Sequence, residues 1–194
     1  MQQPPETIEN FLPEQDFNSF ATAVMRSPHF VPCDYTAFHT EADGSIDTFG
    51  NNLRTVDVKK HEVMFHAMIF NRVNFCSLST DFYVKHDGFI KQIGDLLNVK
   101  KWWLIRANCT VGQDENYVGQ FHNDFSAPSY LYKNSKTAIL YLNTNNGGTQ
   151  FYNKDGPIIQ SKSNTLVKFP TSTTHAGVWT TNAKLRYVLN LNYE

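Results

Sequence analysis

The sequence carries almost no surplus of charge: 17 Lys and Arg stand against 18 Asp and Glu in 194 residues, a net charge of −1. Without a basic excess, nothing marks the chain as a binder of bulk nucleic acid or of an anionic membrane surface. Cysteine is scarce. Its three residues, Cys33, Cys76 and Cys109, contain no Cys-x-x-Cys, which argues against a disulfide framework and against a structural zinc site. No apolar run approaches the roughly 18 residues of a membrane span. The opening Met1-Gln2-Gln3-Pro4-Pro5-Glu6 lacks the basic and apolar regions of a signal peptide. The expectation is a cytoplasmic protein without a membrane partner, in which the sequon Asn108-Cys109-Thr110 is incidental.

What the chain does have is core material, with 41% hydrophobic and 14% aromatic residues. A chain of this length buries roughly 70% of its unfolded surface and suits one domain, 1–194. Two helices are expected in its first half. Phe17, Phe20, Ala21, Val24 and Met25 keep a helical period within 11–26, with Pro13 near the first turn. Phe89, Ile90, Ile93, Leu96 and Leu97 do so within 80–98, where Thr80 or Asp81 can cap. Residues 62–75 suit one or two strands, and the polar stretch 40–60, with Asp43-Gly44 and Gly50-Asn51, reads as a long loop. After Lys101 the texture changes. Short β-branched and aromatic runs at 102–110, 117–124, 137–143, 149–152, 157–160, 164–169, 176–180 and 185–192 alternate with turn chemistry such as Asn145-Asn146-Gly147-Gly148. The predicted fold is mainly β, an antiparallel jelly roll over 101–194, buttressed by the helical and irregular region 1–100. The helices should pack through Phe17, Phe20, Val24, Ile90, Ile93 and Leu97 on the outer face of its larger sheet.

The histidines hold the chemistry. His61 and His66 are five residues apart, one too many for the zinc-protease helix motif, and His29 and His86 have no acidic or cysteine partner at ligand spacing. Seven histidines and 18 acidic residues produce about 0.65 His-x-acid triplets by chance, so neither triplet means much alone. His39-Thr40-Glu41 leads into the polar loop with no partner in register. His122-Asn123-Asp124 closes a predicted strand, with both side chains on one face of the pleat. It is followed by His175 on another strand and by Arg186 on the last. Two imidazoles and one carboxylate can hold a metal on one face and leave its other positions open, the pattern of non-haem Fe(II) oxygenases. A buried guanidinium would grip a second carboxylate at a fixed distance. Arg186, Val188, Asn190 and Asn192 share one face of the last strand, which would line solvent at a sheet edge or a cavity inside a barrel. The triad favours the cavity.

This order, His122-x-Asp124, His175, Arg186, resembles that of the Fe(II)/2-oxoglutarate-dependent oxygenase superfamily. Tyr141-Leu142-Asn143 followed by Gly147-Gly148-Thr149-Gln150-Phe151 resembles segments of its prolyl-4-hydroxylase-like branch, and Ile105-Arg106-Ala107-Asn108 with Asn190-Leu191-Asn192-Tyr193 is similar to small phage-encoded members. The likeness is specific over 102–193 and weak before it. It implies a double-stranded β-helix core, Fe(II) on His122, Asp124 and His175, and 2-oxoglutarate chelating the metal with its distal carboxylate on Arg186. It also implies that Tyr141 lies beside that carboxylate, where composition alone would accept a core tyrosine, and that Asn190 lines the pocket. Thr149 directly after the glycines departs from the usual order, leaving open whether Thr149 or Gln150 faces the site.

The implied activity is a dioxygenase that uses dioxygen and 2-oxoglutarate to hydroxylate an acceptor, releasing succinate. A peptidyl side chain, prolyl or other, or a small molecule suits the near-neutral charge better than nucleic acid. The loops 40–60 and 123–136 are the candidate lids. The rival readings are a cupin-like metal enzyme that uses no 2-oxoglutarate, which would usually carry a His-x-His absent here, and a non-enzymatic β-sandwich module.

Overall fold

A computed structural model describes residues 4–27, 30–32, 64–71, 78–124 and 134–194. The 40–60 loop, the His39 triplet, His29, His61, Cys33, Cys76 and most of the 123–136 loop lie outside the described residues.

Chain order is β1 (Glu6–Glu9), α1 (Glu14–Met25), β2 (Val31–Pro32), β3 (Met64–Asn71), β4 (Leu78–Ser79), α2 (Asp81–Lys85), α3 (Asp87–Leu97), β5 (Trp102–Val111), β6 (Lys136–Tyr141), β7 (Gly148–Phe151), β8 (Ile158–Gln160), β9 (Thr165–Pro170), β10 (His175–Val178) and β11 (Leu185–Tyr193). Among the described residues, one antiparallel sheet runs β1-β9-β6-β11-β5-β3-β2, with β4 on β3. A smaller antiparallel sheet runs β10-β7-β8, and single bridges, Val118 to Val178 and His122 to His175, lay the 118–122 segment on its β10 edge. The two sheets form the jelly-roll core expected from the sequence.

Pleat alternation separates the two faces of the larger sheet. Ala67 and Ile69 of β3, Ile105 and Ala107 of β5, Ala138 and Leu140 of β6, and Leu189 and Leu191 of β11 point outward. They pack with Phe17, Phe20, Ala21 and Val24 of α1 and with Ile90, Ile93 and Leu97 of α3. Each such side chain contributes roughly 1.5–3 kcal/mol of apolar burial before conformational entropy opposes it. The six residues expected to buttress the sheet are all in this cluster. Inward, Ile139, Tyr141, Val167, Phe169 and Val188 meet Phe151 of the smaller sheet.

Several elements depart from the sequence expectation. Leu96 is 54% exposed; the stripe runs through Ile90, Ile93 and Leu97, and Leu96 lies beyond its edge. The 80–98 helix is two helices, α2 capped by Thr80, whose hydroxyl accepts from the Tyr83 N–H at 3.3 Å, and α3 starting after a break at His86. The strand expected at 117–124 is reduced to its two bridges. β1, which the sequence reading did not contain, pairs with β9 from Glu6 opposite Lys168 to Glu9 opposite Thr165. Behind it, Asn164, at φ 58°, pins the entry to α1: its Oδ1 accepts from the Leu12 N–H at 3.0 Å and its Nδ2 donates to the Leu12 carbonyl at 2.8 Å.

Candidate metal centre

His122 and His175 face each other across a bridge in which each backbone N–H donates to the other's carbonyl at 2.9 Å. This pairing sets the imidazoles side by side, with ring centroids 4.7 Å apart. Each ring is then fixed by the carbonyl two residues before it: the Nδ1 of His122 meets the Gln120 carbonyl at 3.0 Å, and that of His175 meets the Thr173 carbonyl at 3.0 Å. A carbonyl only accepts, so Nδ1 carries a proton in both rings and Nε2 is the atom turned toward the centre, where a metal would take its lone pair. Both Nε2 atoms point at one oxygen. Asp124 Oδ1 lies 3.8 Å from Nε2 of His122 and 3.6 Å from Nε2 of His175. The three ligand atoms all fall within 4.8 Å of one another, close enough for one ion to reach each of them.

The other carboxylate oxygen is held from behind. Asp124 Oδ2 accepts from the Thr137 hydroxyl and from Asn192 Nδ2, both at 2.8 Å, and Asn192 Nδ2 also donates to Thr137 Oγ1 at 2.9 Å. Thr137 and Asn192 stand opposite each other on β6 and β11. Burial would raise the Asp124 carboxyl, but His175, His122 and the two hydrogen bonds outweigh it and hold the group below its ordinary value. Burial keeps His175 below its ordinary value despite the attraction of Asp124. An ionised carboxylate beside a neutral imidazole is the protonation state a divalent ion requires.

Arg186 lies at the far end of the same face of β11, six residues or roughly 20 Å of strand from Asn192. It is 4% exposed. Its Nη2 donates to the Gly148 carbonyl at 2.8 Å, while its Nε is buried without a partner. The guanidinium stands 5.6 Å from the centre of the Tyr141 ring, and the Tyr141 hydroxyl lies 2.9 Å from Thr149 Oγ1 and 3.1 Å from the Ile159 carbonyl. Space for the arginine depends on Gly147, where a Cβ would lie 3.0 Å from Arg186 Cδ and 2.6 Å from the Val178 carbonyl oxygen. Asn190, midway along this face, is 6% exposed, and its Oδ1 has no partner.

Thus His122, Asp124 and His175 converge, Tyr141 stands beside Arg186, and Asn190 lies between Arg186 and the triad on the inner face. Thr149 faces Tyr141. Gln150, the alternative, points to the opposite face of β7 and donates to the carbonyls of Lys154 and Gly156 in the following turn. Thr137 and Asn192 escaped the sequence reading as site residues. The signal available was the polar alternation of 186–192, but what Asn192 touches depends on sheet order.

The two-sheet arrangement is the double-stranded β-helix, and solved structures with that arrangement carry it further. The chain superposes on a prolyl-4-hydroxylase from Pseudomonas putida with TM-score 0.59 and 13% identity, over 97% of this chain and 90% of that one. It is similarly close to a 2OG-Fe(II) oxygenase family oxidoreductase from Burkholderia pseudomallei, with TM-score 0.60 and 12% identity over 97% and 85%. A viral collagen prolyl hydroxylase from Paramecium bursaria Chlorella virus-1, solved with 2OG, matches with TM-score 0.54 and 12% identity over 98% and 96%. At such identities the likeness is one of fold. No family model and no curated protein matches the sequence. No helix among the described residues is long and apolar enough to cross a membrane.

Proposed function

We propose that the protein is an Fe(II)- and 2-oxoglutarate-dependent dioxygenase that hydroxylates an acceptor. The observation that carries this reading is the convergence of two Nδ1-anchored imidazoles and one clamped carboxylate on the face that also buries Arg186. His122, Asp124 and His175 would hold the metal, and Arg186, with Tyr141 and Asn190, the cosubstrate. Fe(II), when bound with 2-oxoglutarate and dioxygen, supplies oxidative decarboxylation to succinate coupled to hydroxylation.

The residues fit that pair of ligands. Two neutral imidazoles and one carboxylate leave a divalent ion with a net positive charge, suited to an anionic chelator. The unpartnered Nε of Arg186 and the unpartnered Oγ1 of Thr110, its register partner on β5, are polar atoms a distal carboxylate end would satisfy. Val188 and Ile139 are apolar members of the same inner face and cluster with Phe151, whose ring lies 6.3 Å from that of His175, a lining that would exclude bulk water. A solved neighbour of similar fold is a prolyl hydroxylase from Trichoplax adhaerens in complex with a hypoxia inducible factor peptide fragment, which supports a peptide or small-molecule acceptor here. The test is succinate release from 2-oxoglutarate by the Fe(II)-loaded chain. Turnover that disappears in His175→Ala supports the reading, and turnover equal in both proteins refutes it.

A further inference from the structure

The metal and the cosubstrate leave one wall of the inner face unused. Across β11, β5 and β3, Val188 is in register with Asn108 and Asn108 with His66, while Asn190 is in register with Arg106 and Arg106 with Met68. Register partners project to the same face, so these side chains join the face that carries Arg186 and Asn192. Four polar atoms on this wall are buried without a hydrogen-bond partner: Asn108 Oδ1, Asn190 Oδ1, Arg106 Nε and His66 Nδ1. Asn108 and Asn190 are 8% and 6% exposed. Arg106 is half-buried and forms no ion pair among the described residues. Native structures pair the large majority of such atoms, and here four of them stand together beside the candidate metal and cosubstrate positions.

Resting on the dioxygenase reading, we propose that this wall binds the acceptor, and that the acceptor presents a carboxylate to Arg106 with an N–H donor beside it: an amino acid, free or at the C-terminus of a peptide. Among the described residues Arg106 is the wall's one cation, and the planar guanidinium fork matches the two oxygens of a carboxylate. A phosphate dianion would call for a second cation and would meet the amide oxygens of Asn108 and Asn190 instead of donors. His66 does not supply that cation, since burial and the neighbouring Arg106 both hold its pKa below the ordinary value. The same two amide oxygens call for donors, which an amino or amide nitrogen next to the carboxylate provides. Asn190 belongs to both the cosubstrate pocket and this wall, so the acceptor would reach the metal from the β5 side.

The experiment is anaerobic calorimetry on the full chain loaded with Mn(II) and 2-oxoglutarate. The probes are the twenty amino acids, their N-acetyl derivatives and their C-terminal amides. At least one carboxylate-bearing probe binds, and its amide binds about tenfold or more weakly, the scale of one charged hydrogen bond. Arg106→Gln loses a similar factor for the acid, and Arg106→Lys, which keeps the charge without the fork, falls between. Binding that survives N-acetylation assigns a peptide C-terminus, and binding lost on N-acetylation assigns a free amino acid. The proposal is overturned if no probe binds to a chain that has taken up Mn(II) and 2-oxoglutarate, or if amidation and Arg106→Gln leave binding unchanged. Weakened 2-oxoglutarate uptake in Arg106→Gln, in place of weakened probe uptake, overturns it too by moving Arg106 to the cosubstrate. A chain that takes up neither Mn(II) nor 2-oxoglutarate refutes the dioxygenase reading first, and this proposal with it.

Discussion

Asn192 Nδ2 donates to Asp124 Oδ2 at 2.8 Å across 68 residues of sequence, and so turns Oδ1 of that carboxylate toward both imidazoles. A carboxylate free to rotate would present either oxygen, or both, to an ion. Asn192 is 1% exposed on a central strand, which makes it a rigid donor. Replacing it with Leu removes the clamp and leaves Thr137 as the remaining donor to Oδ2. Mn(II) affinity, read by calorimetry, should fall about 10- to 100-fold, the range for loss of an outer-shell partner. An unchanged affinity would show that Thr137 suffices.

Asp124→Ala should abolish metal uptake and 2-oxoglutarate turnover while leaving the fold in place. Thr137 and Asn192 bond each other at 2.9 Å, so neither is orphaned when the carboxylate is lost. Circular dichroism and thermal melting check the fold. Global unfolding of the variant would assign Asp124 a structural role.

Arg186→Lys should raise the 2-oxoglutarate requirement by roughly 1–3 kcal/mol, or about 5- to 150-fold, because an ammonium cannot bond the Gly148 carbonyl and also present a planar fork to a carboxylate. Gly147→Ala should act on the same step without touching a charged group. Its Cβ would sit 2.6 Å from the Val178 carbonyl oxygen and 3.0 Å from Arg186 Cδ, so either the turn or the arginine must move. Steady-state titration of 2-oxoglutarate separates the outcomes: raised KM in both variants supports Arg186 as the anchor, and a normal KM in Arg186→Lys assigns the wrong partner.

The proximity of His122 and Asp124 was legible from their spacing, although the strand expected to carry them is reduced to two bridges, and the alternation of Arg186, Val188, Asn190 and Asn192 against Tyr187, Leu189 and Leu191 on β11 reveals a polar face. What that face meets was not legible, since it depends on β11 lying between β5 and β6. That order places Asn192 opposite Thr137 and Asn190 opposite Arg106, contacts between segments dozens of residues apart. β1 was missed because Glu6-Thr7-Ile8-Glu9 is short and polar, and it is a strand only through its pairing with β9.

The alkaline limb of stability should carry three tyrosines, among them Tyr141, whose phenol is pushed above its ordinary value by burial. Burial, with the nearby Glu6, pushes the Tyr193 phenol up to about 12, and burial with Cys109 pushes Tyr187 up to about 12. Above the ordinary value of 10 the unfolded chain loses these protons while the folded chain keeps them. Stability is therefore complete below pH 10 and falls as pH rises toward about 12. Urea unfolding across that window should show the decline, and Tyr193→Phe should flatten it. An equal slope in the variant would remove Tyr193 from the account.

The helices and the site depend on each other through a sheet one residue thick. Ile105, Ala107, Ala138, Leu140, Leu189 and Leu191 are each 0% exposed beneath α1 and α3, and they alternate along β5, β6 and β11 with Arg106, Asn108, Thr137, Asn190 and Asn192 of the inner face. Phe20 and Ile93 are also 0% exposed. Truncating either to Ala should destabilise by about 3–4 kcal/mol through lost burial and the cavity left behind, seen as a lowered urea midpoint with the slope retained. A chain beginning near Lys100 would expose the whole outer face, a patch far larger than monomers leave in water, and should aggregate instead of yielding a smaller enzyme. A monodisperse fragment that retained Mn(II) affinity would show that the inner face holds its geometry without the helices.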